Sequence, residues 1–94
     1  MALTILAQIT AVPGKEDLVK TALQKLIPPT LAEQGCIQYD LHVDNEKPGF
    51  FVFYENWENR ELWQQHMKSA HIAAHRAATE GAIENVILNE MTKV

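Results

Sequence analysis

Hydrophobic and polar residues alternate at the start of the chain. From residue 3 to residue 12 the odd positions are apolar, whereas threonine and glutamine interrupt the other set. A period of two is typical of a strand, because successive side chains point to opposite sides of it. The pattern predicts a first strand from Leu3 to Val12 with five apolar residues on one face: Leu3, Ile5, Ala7, Ile9 and Ala11.

The next segment changes to helical spacing. Pro13-Gly14 breaks the strand, and apolar residues then recur every three or four positions up to Leu31, with lysine and glutamate between them. We expect an amphipathic helix that faces a core. Pro28-Pro29 must kink or interrupt this helix, because proline donates no backbone hydrogen bond, and Gly35 is placed to end whatever follows.

A hairpin is predicted in the middle of the chain. Residues 37–43 alternate between apolar and polar side chains, which indicates a second strand with two unlike faces. Residues 44–49 are rich in turn formers, and residues 50–57 form a β-branched and aromatic run. The two strands are therefore expected to lie side by side and antiparallel.

The remaining segment predicts a helix in two parts followed by a strand. Asn59 can cap a helix that carries Leu62, Trp63 and Met67, and Ser69 can cap its continuation to Glu80. Gly81 ends the helix. The last strand is predicted from Ala82 to Lys93.

The order β-α-β-β-α-β predicts an α+β fold of the ferredoxin-like type, in which a four-stranded antiparallel sheet carries helices on one face. Residues 1–94 are expected to form a single domain. The third strand has large apolar residues on both faces, and two helices cover only one of them. Packing two sheets face to face across a two-fold axis would cover the other, so we expect a homodimer, a dimeric α+β barrel.

Composition narrows the function classes. The net charge of -4, with eight scattered Lys and Arg residues, opposes binding to nucleic acid. The N-terminal segment lacks the basic start of a secretory signal, and no run of 18 apolar residues suggests a membrane span. A single cysteine, Cys36, cannot form an internal disulfide. We expect a cytoplasmic protein without nucleic-acid or membrane partners.

Histidines are the main candidates for chemistry, because imidazole titrates near neutral pH. His66 shares a helical stripe with Leu62 and Trp63, so it is expected to point between helix and sheet, either as a buried structural histidine or as a catalytic base. His71 and His75 are spaced to share a helix face, but no third ligand is evident and His75 beside Arg76 suggests a solvated face. No metal site is predicted.

Two motifs resemble a known family. The run Phe53-Tyr-Glu-Asn-Trp57-Glu ends a strand in Glu-x-Trp, and His66-Met-Lys-Ser-Ala-His71 lies on the helix after it. Together with Pro13-Gly-Lys and Glu33-Gln-Gly-Cys-Ile-Gln-Tyr39, they are similar to antibiotic-biosynthesis-monooxygenase domains over the whole chain. The quinol monooxygenase branch and a branch acting on a phosphorylated signalling sugar are the most similar.

The resemblance implies cofactor-free oxygenation of a quinol-, anthrone- or phenol-like aromatic by O2. His66, assisted by His71, is then expected to act as the base or hydrogen-bonding group. Aromatic residues would wall a pocket for a flat ring: Tyr39, Phe51, Phe53, Trp57 and Trp63. The same aromatics fit an ordinary core equally well by their spacing.

Other activities of the same superfamily stay open. The haem-degrading branch carries a tryptophan where this chain has His66, and an asparagine near Gln8-Ile9 is missing, which argues against haem cleavage although His75 could be an axial ligand. An isomerase of a small phosphorylated sugar would need a cluster of cations, whereas only Arg60, Lys68 and Arg76 lie near the motif. The third alternative is a non-catalytic dimeric ligand-binding or stress protein.

Overall fold

A computed structural model describes residues 2–94, so Met1, the first residue of the predicted domain, lies outside the described residues. Four strands and four helices follow one another within residues 2–94. Their bounds are β1 Leu3–Ala11, α1 Glu16–Lys25, α2 Ile27–Leu31, β2 Cys36–Val43, β3 Phe50–Trp57, α3 Arg60–Met67, α4 Ala70–Ala78 and β4 Ile83–Met91.

The four strands form one antiparallel sheet in the order β2-β3-β1-β4. This order places the two strands of the central hairpin side by side and inserts β1 between β3 and β4. The ferredoxin-like α+β fold is therefore confirmed. The last strand is shorter than predicted by one residue at its start and two at its end.

The first helical segment breaks before its prolines. Leu26 ends α1 and precedes α2, and Pro28 and Pro29 lie in the first turn of α2. Proline is tolerated there because the first amides of a helix have no intrahelical partner. The predicted interruption is confirmed, but the break lies at Leu26, so the prolines start a new short helix.

Both predicted caps of the second helical segment are present. The Asn59 side chain accepts a hydrogen bond from the backbone amide of Leu62, 2.9 Å away, and begins α3. The Ser69 hydroxyl accepts one from the amide of Ile72 at 3.3 Å and begins α4. These caps satisfy amides that each helix start leaves unpaired. They also fix where His66 and His71 lie relative to the sheet.

One face of the sheet forms the core under the helices. Its buried residues include the odd positions of β1 from Ile5 onward and those of β3, which are paired across the two strands: Ile5 with Glu55, Ala7 with Phe53, and Ile9 with Phe51. The helices leave β4 uncovered, since Val86 and Leu88 on this same face are 49% and 42% exposed. The core is consequently open along β4.

The other face of the sheet mixes polar and apolar residues. A chain of side-chain hydrogen bonds runs from Thr4 through Asn56 to Gln38 across three strands. Beside it, large apolar side chains stay between 39% and 46% exposed: Tyr54, Ile87 and Met91. This face therefore has hydrophobic surface that no other element of the described chain covers.

Candidate active site

His66 lies at the centre of the site. It is on α3, with only 2% of its surface exposed, and its ring sits between two aromatic side chains of the sheet. The ring centroid of Trp57 is 4.8 Å away, and Tyr39 meets the imidazole edge-on at 5.6 Å. Such packing restricts the side chain to one orientation.

Glu33, in the loop between α2 and β2, holds two histidines with one oxygen. Its Oε2 lies 2.5 Å from Nδ1 of His66 and 2.9 Å from Nε2 of His71. A carboxylate can only accept hydrogen bonds, so each of these ring nitrogens must be the donor. Nε2 of His66 is then left unprotonated in the neutral ring, which is the form that can take a proton.

Burial decides the charge of His66. Removal from water lowers the pKa of the imidazole below its usual value, and the opposing effect of the Glu33 carboxylate is smaller. The neutral ring is therefore the form present at pH 7. A neutral imidazole whose far nitrogen is tied to a carboxylate has the arrangement required of a general base.

Glu33, His66 and His71 also offer donor atoms of the kinds that bind transition metals, all within 4.8 Å of one another. Two ligands of one ion, each about 2.1 Å from it, are about 3 Å or more apart. The contacts of 2.5 Å and 2.9 Å on a single carboxylate oxygen are instead hydrogen-bond distances. As arranged here, the three residues fit a hydrogen-bonded relay better than a metal centre.

A cavity of about 330 Å³ lies between the sheet and helices α3 and α4 and opens along β4. This volume is at the lower end of the range for small-molecule sites. Most of its wall is apolar, with contributions from every strand. Its polar or ionisable lining residues are Tyr39, Glu55, His66, His75, Arg76 and Thr79.

Glu55 is a carboxyl group in the sheet wall of this cavity. It is 3% exposed, and its Oε1 accepts a hydrogen bond from Nε1 of Trp57 at 3.0 Å. Burial raises the pKa of Glu55 to about 7, against the smaller lowering effect of Trp57. The cavity thus contains a carboxyl group that is about half protonated near neutral pH.

A second, larger groove of about 580 Å³ runs between α1 and α4. It is lined by His71 and His75 but by neither His66 nor Glu55 and by none of the aromatic residues predicted for the site. Its remaining lining comes mostly from the solvent-facing turns of the two helices, such as Leu18 and Ala78. The cavity at His66 is the better candidate for chemistry.

Comparison with known proteins agrees with this architecture. The family model described as antibiotic biosynthesis monooxygenase matches residues 2–78. The chain belongs to this family. The structure of PA3566 from Pseudomonas aeruginosa superposes with a TM-score of 0.95 and 31% identity, covering 99% of this chain and 94% of that one.

Two sequence relatives show how far the similarity extends. The protein named probable quinol monooxygenase YgiN, from Escherichia coli, is 29% identical over 91 residues, which cover 86% of this chain and 88% of that protein. The uncharacterized protein sll1783 of Synechocystis is 28% identical over 67 residues. That match covers 71% of this chain but 46% of the other, so this chain aligns with about half of sll1783.

The structure brings some of the predicted site residues together and separates others. Tyr39, Phe53 and Trp63 line the cavity with His66. Phe51 and Trp57 are buried but lie outside the cavity lining, where Trp57 supports the His66 ring. His71 does not line the cavity; it contacts Glu33, and its ring centroid lies 5.8 Å from that of His66.

The interpretation of His75 as part of a solvated face is wrong. Its side chain is half-buried and lines both the cavity and the groove, and its Nδ1 is buried without a hydrogen-bond partner among residues 2–94. Burial lowers the pKa of this imidazole. Ile72 and His75 are three positions apart and so share the inward side of α4, whereas Ala73, Ala74 and Arg76 are exposed.

Two residues of the site were missed by sequence reasoning: Glu33 and Glu55. Glu33 lies in a loop 33 positions before His66, and no local pattern indicates that these two meet. Glu55 did carry a signal, since it interrupts the apolar face formed by Phe51, Phe53 and Trp57. A charged residue on a buried strand face is uncommon without a partner or a role.

No helix among residues 2–94 combines the length and the apolar character that crossing a membrane requires.

Proposed function

We propose that this protein is a cofactor-independent monooxygenase that oxidises a quinol-, anthrone- or phenol-like aromatic with O2. One observation carries the proposal. The buried neutral His66 is tied to Glu33 through Nδ1 and lies in the wall of a largely apolar cavity. Membership of the antibiotic biosynthesis monooxygenase family and the relative named probable quinol monooxygenase support it.

Oxygenation without a cofactor needs a base and a site that excludes water and fits the substrate. His66 removes a proton from the substrate, and the resulting electron-rich anion reduces O2 directly. Excluding water keeps that anion reactive and strengthens its interactions with fixed dipoles. The apolar cavity supplies this environment, and its volume of about 330 Å³ fits a small fused-ring compound. No cofactor is needed in this scheme.

Each neighbouring residue has a distinct task. Tyr39, Phe53 and Trp63 provide flat apolar surfaces against which an aromatic ring can pack. Glu33 is a positioning residue that fixes the tautomer and direction of His66, and His71 holds Glu33 from the other side. Trp57 packs against the His66 ring, whereas Phe51 is a buried residue of the core.

Oxygen uptake by metal-stripped protein tests the proposal. Hydroquinones, naphthohydroquinols and anthrones serve as probes, with autoxidation blanks. We expect uptake above the blank that falls by at least about 10²-fold in His66→Ala, the size typical of losing a general base. Gln65→Ala is the matched control, because Gln65 precedes His66 on the same helix and is exposed. Equal turnover by wild type and His66→Ala would contradict the assignment.

An oxygen-independent isomerase of a small phosphorylated sugar is the alternative, because a buried base near a buried carboxyl also suits proton transfer between two carbons. The cavity lining favours the aromatic substrate, since Arg76 is its single arginine or lysine within the described part of the chain. Turnover of such a sugar under anaerobic conditions would favour the isomerase. Saturable binding of ring compounds without any turnover would favour a binding protein.

We also propose that the chain acts as one domain and forms a homodimer through the sheet face that carries Tyr54, Ile87 and Met91. These side chains are 39% to 46% exposed beside the hydrogen-bonded side chains of Thr4, Asn56 and Gln38. A second sheet packed on this face would cover both sets. Light scattering at micromolar protein should give twice the monomer mass. A monomeric mass would contradict this proposal, and Tyr54→Asp should shift a true dimer toward monomer.

A further inference from the structure

Glu55 is the group in the cavity whose presence is least explained by packing. It lies in the middle of β3, opposite Ile5 on β1 and Tyr39 on β2, and only 3% of its surface is exposed. Placing a carboxyl group in such surroundings is costly unless it is paired or neutral. Among residues 2–94 no cation contacts it, so the fold maintains an unfavourable group at this point.

The hydrogen bonds of Glu55 leave one oxygen for chemistry. Oε1 accepts from the indole of Trp57, so the proton of the neutral acid is carried by Oε2. The same Trp57 packs against His66, and Tyr39 lies beside both groups. Glu55 and His66 therefore lie in the walls of one cavity and share two aromatic neighbours.

The proposed oxygenation needs a proton donor as well as a base. His66 takes one proton from the substrate, and the carbanion forms a C–O bond with O2, which leaves a peroxy anion. Protonation of its terminal oxygen gives a hydroperoxide. Removal of the hydrogen that remains on this carbon then forms C=O as the O–O bond breaks. The departing hydroxide takes the proton from His66 and leaves as water, so that the CH2 group of an anthrone, or of the keto tautomer of a quinol, and O2 become C=O and H2O.

We propose that Glu55 is the second catalytic residue of this site, the acid that protonates the peroxy anion and then, as carboxylate, removes the second hydrogen from carbon. This inference rests on the proposed oxygenation. Both catalytic groups return to their starting forms in the cycle, Glu55 protonated and His66 neutral. No further oxidant or reductant is required beyond O2.

The environment sets the two groups to the required protonation states. Burial makes His66 neutral and Glu55 protonated in the same pH range, the reverse of their order in water. The other titratable groups around Glu55 do not hold it ionised. On α4, His75 and Arg76 form no salt bridge with it among residues 2–94. Glu33 in the loop and Cys36 and Tyr39 on β2 are acids, and the Glu33 carboxylate raises the pKa of Glu55 further.

Kinetics of Glu55→Gln with naphthohydroquinol or anthrone probes test the proposal. We expect kcat to fall about 10²-fold, with KM changed by less than about threefold because the amide keeps the shape of the side chain. Wild-type kcat should decline as pH rises above about 7, where Glu55 loses its proton. Glu55→Gln should lack this decline. Glu58→Gln, an exposed position just after β3, is the matched control.

A second measurement needs no substrate. A protonated carboxyl group has its own infrared band, and the band of Glu55 is isolated by subtracting the spectrum of Glu55→Gln from that of wild type at each pH. This band should be present at pH 6 and lost by pH 8. If Glu55→Gln does not fold, Glu55→Asp serves as the reference, since it should move the band. A carboxyl already ionised at pH 5 would overturn the proposal regardless of activity.

The outcomes separate this inference from the proposed function. Oxygen uptake that is lost in His66→Ala but unchanged in Glu55→Gln would overturn the role of Glu55 and leave the monooxygenase intact. No uptake by wild type with any ring probe would overturn both. Loss of activity in Glu55→Gln together with loss of the decline above pH 7 supports both.

Discussion

Replacing Glu55 with glutamine should make the protein more stable at alkaline pH. Burial raises the pKa of this carboxyl to about 7 from an ordinary value of 4.5, so the native state holds the proton more tightly than the unfolded chain. The stability that this group contributes is complete below pH 4.5 and is lost as pH rises through 7. The difference corresponds to about 3 kcal/mol at pH 8.

Glutamine has nearly the same shape and cannot ionise, so Glu55→Gln should exceed wild type by up to about 3 kcal/mol at pH 8 and match it within about 1 kcal/mol at pH 4. Urea unfolding, followed by the fluorescence of Trp57 and Trp63, measures this at pH 4, 6 and 8. Protein concentration is held constant, because assembly changes apparent stability.

Glu58→Gln is the control, since Glu58 is exposed and should show no such pH-dependent gain. The reasoning would be refuted if the difference between Glu55→Gln and wild type were the same at pH 4 and pH 8. A gain in stability combined with a loss of activity would mark Glu55 as a residue kept for chemistry at a cost in stability.

Further predictions concern the residues that position His66. Glu33→Gln should lower kcat by at least about tenfold, and His71→Ala by less, because a neutral amide oxygen accepts hydrogen bonds from the two rings more weakly than the carboxylate does; equal activity of Glu33→Gln and wild type in oxygen uptake would contradict this. Gly35→Ala should destabilise the fold by about 1–3 kcal/mol in urea, because φ is +89° and an added Cβ would overlap Leu62. Gly14→Ala, with φ of +91° and open space around it, should cost less.

Much of the fold follows from local rules that the sequence displays. The alternation in β1 assigns its buried face correctly, because a strand buried on one side must repeat every two residues. The caps at Asn59 and Ser69 were predictable for the same kind of reason, since unpaired amides need an acceptor at a fixed offset. The position of the break at Leu26 was not predictable in this way, because a proline disturbs the helical turn before it as much as the turn in which it lies.

The site was only partly predictable. His66 could be found from its helical stripe and its motif, but its partner Glu33 belongs to a loop whose approach to α3 depends on the whole fold. The choice among aromatics also depended on long-range packing, since Phe51 and Phe53 share a strand face and only Phe53 reaches the cavity. Burial raises the pKa of Glu55, and the motif alone does not indicate that this glutamate is buried.

The most direct test of the monooxygenase assignment is turnover of an anthrone or naphthohydroquinol probe by metal-stripped protein under ¹⁸O₂. The mechanism predicts one labelled oxygen in the product and the second labelled atom in water, with both signals lost in His66→Ala. Product that carries no label, or turnover that continues without O2, would contradict the account.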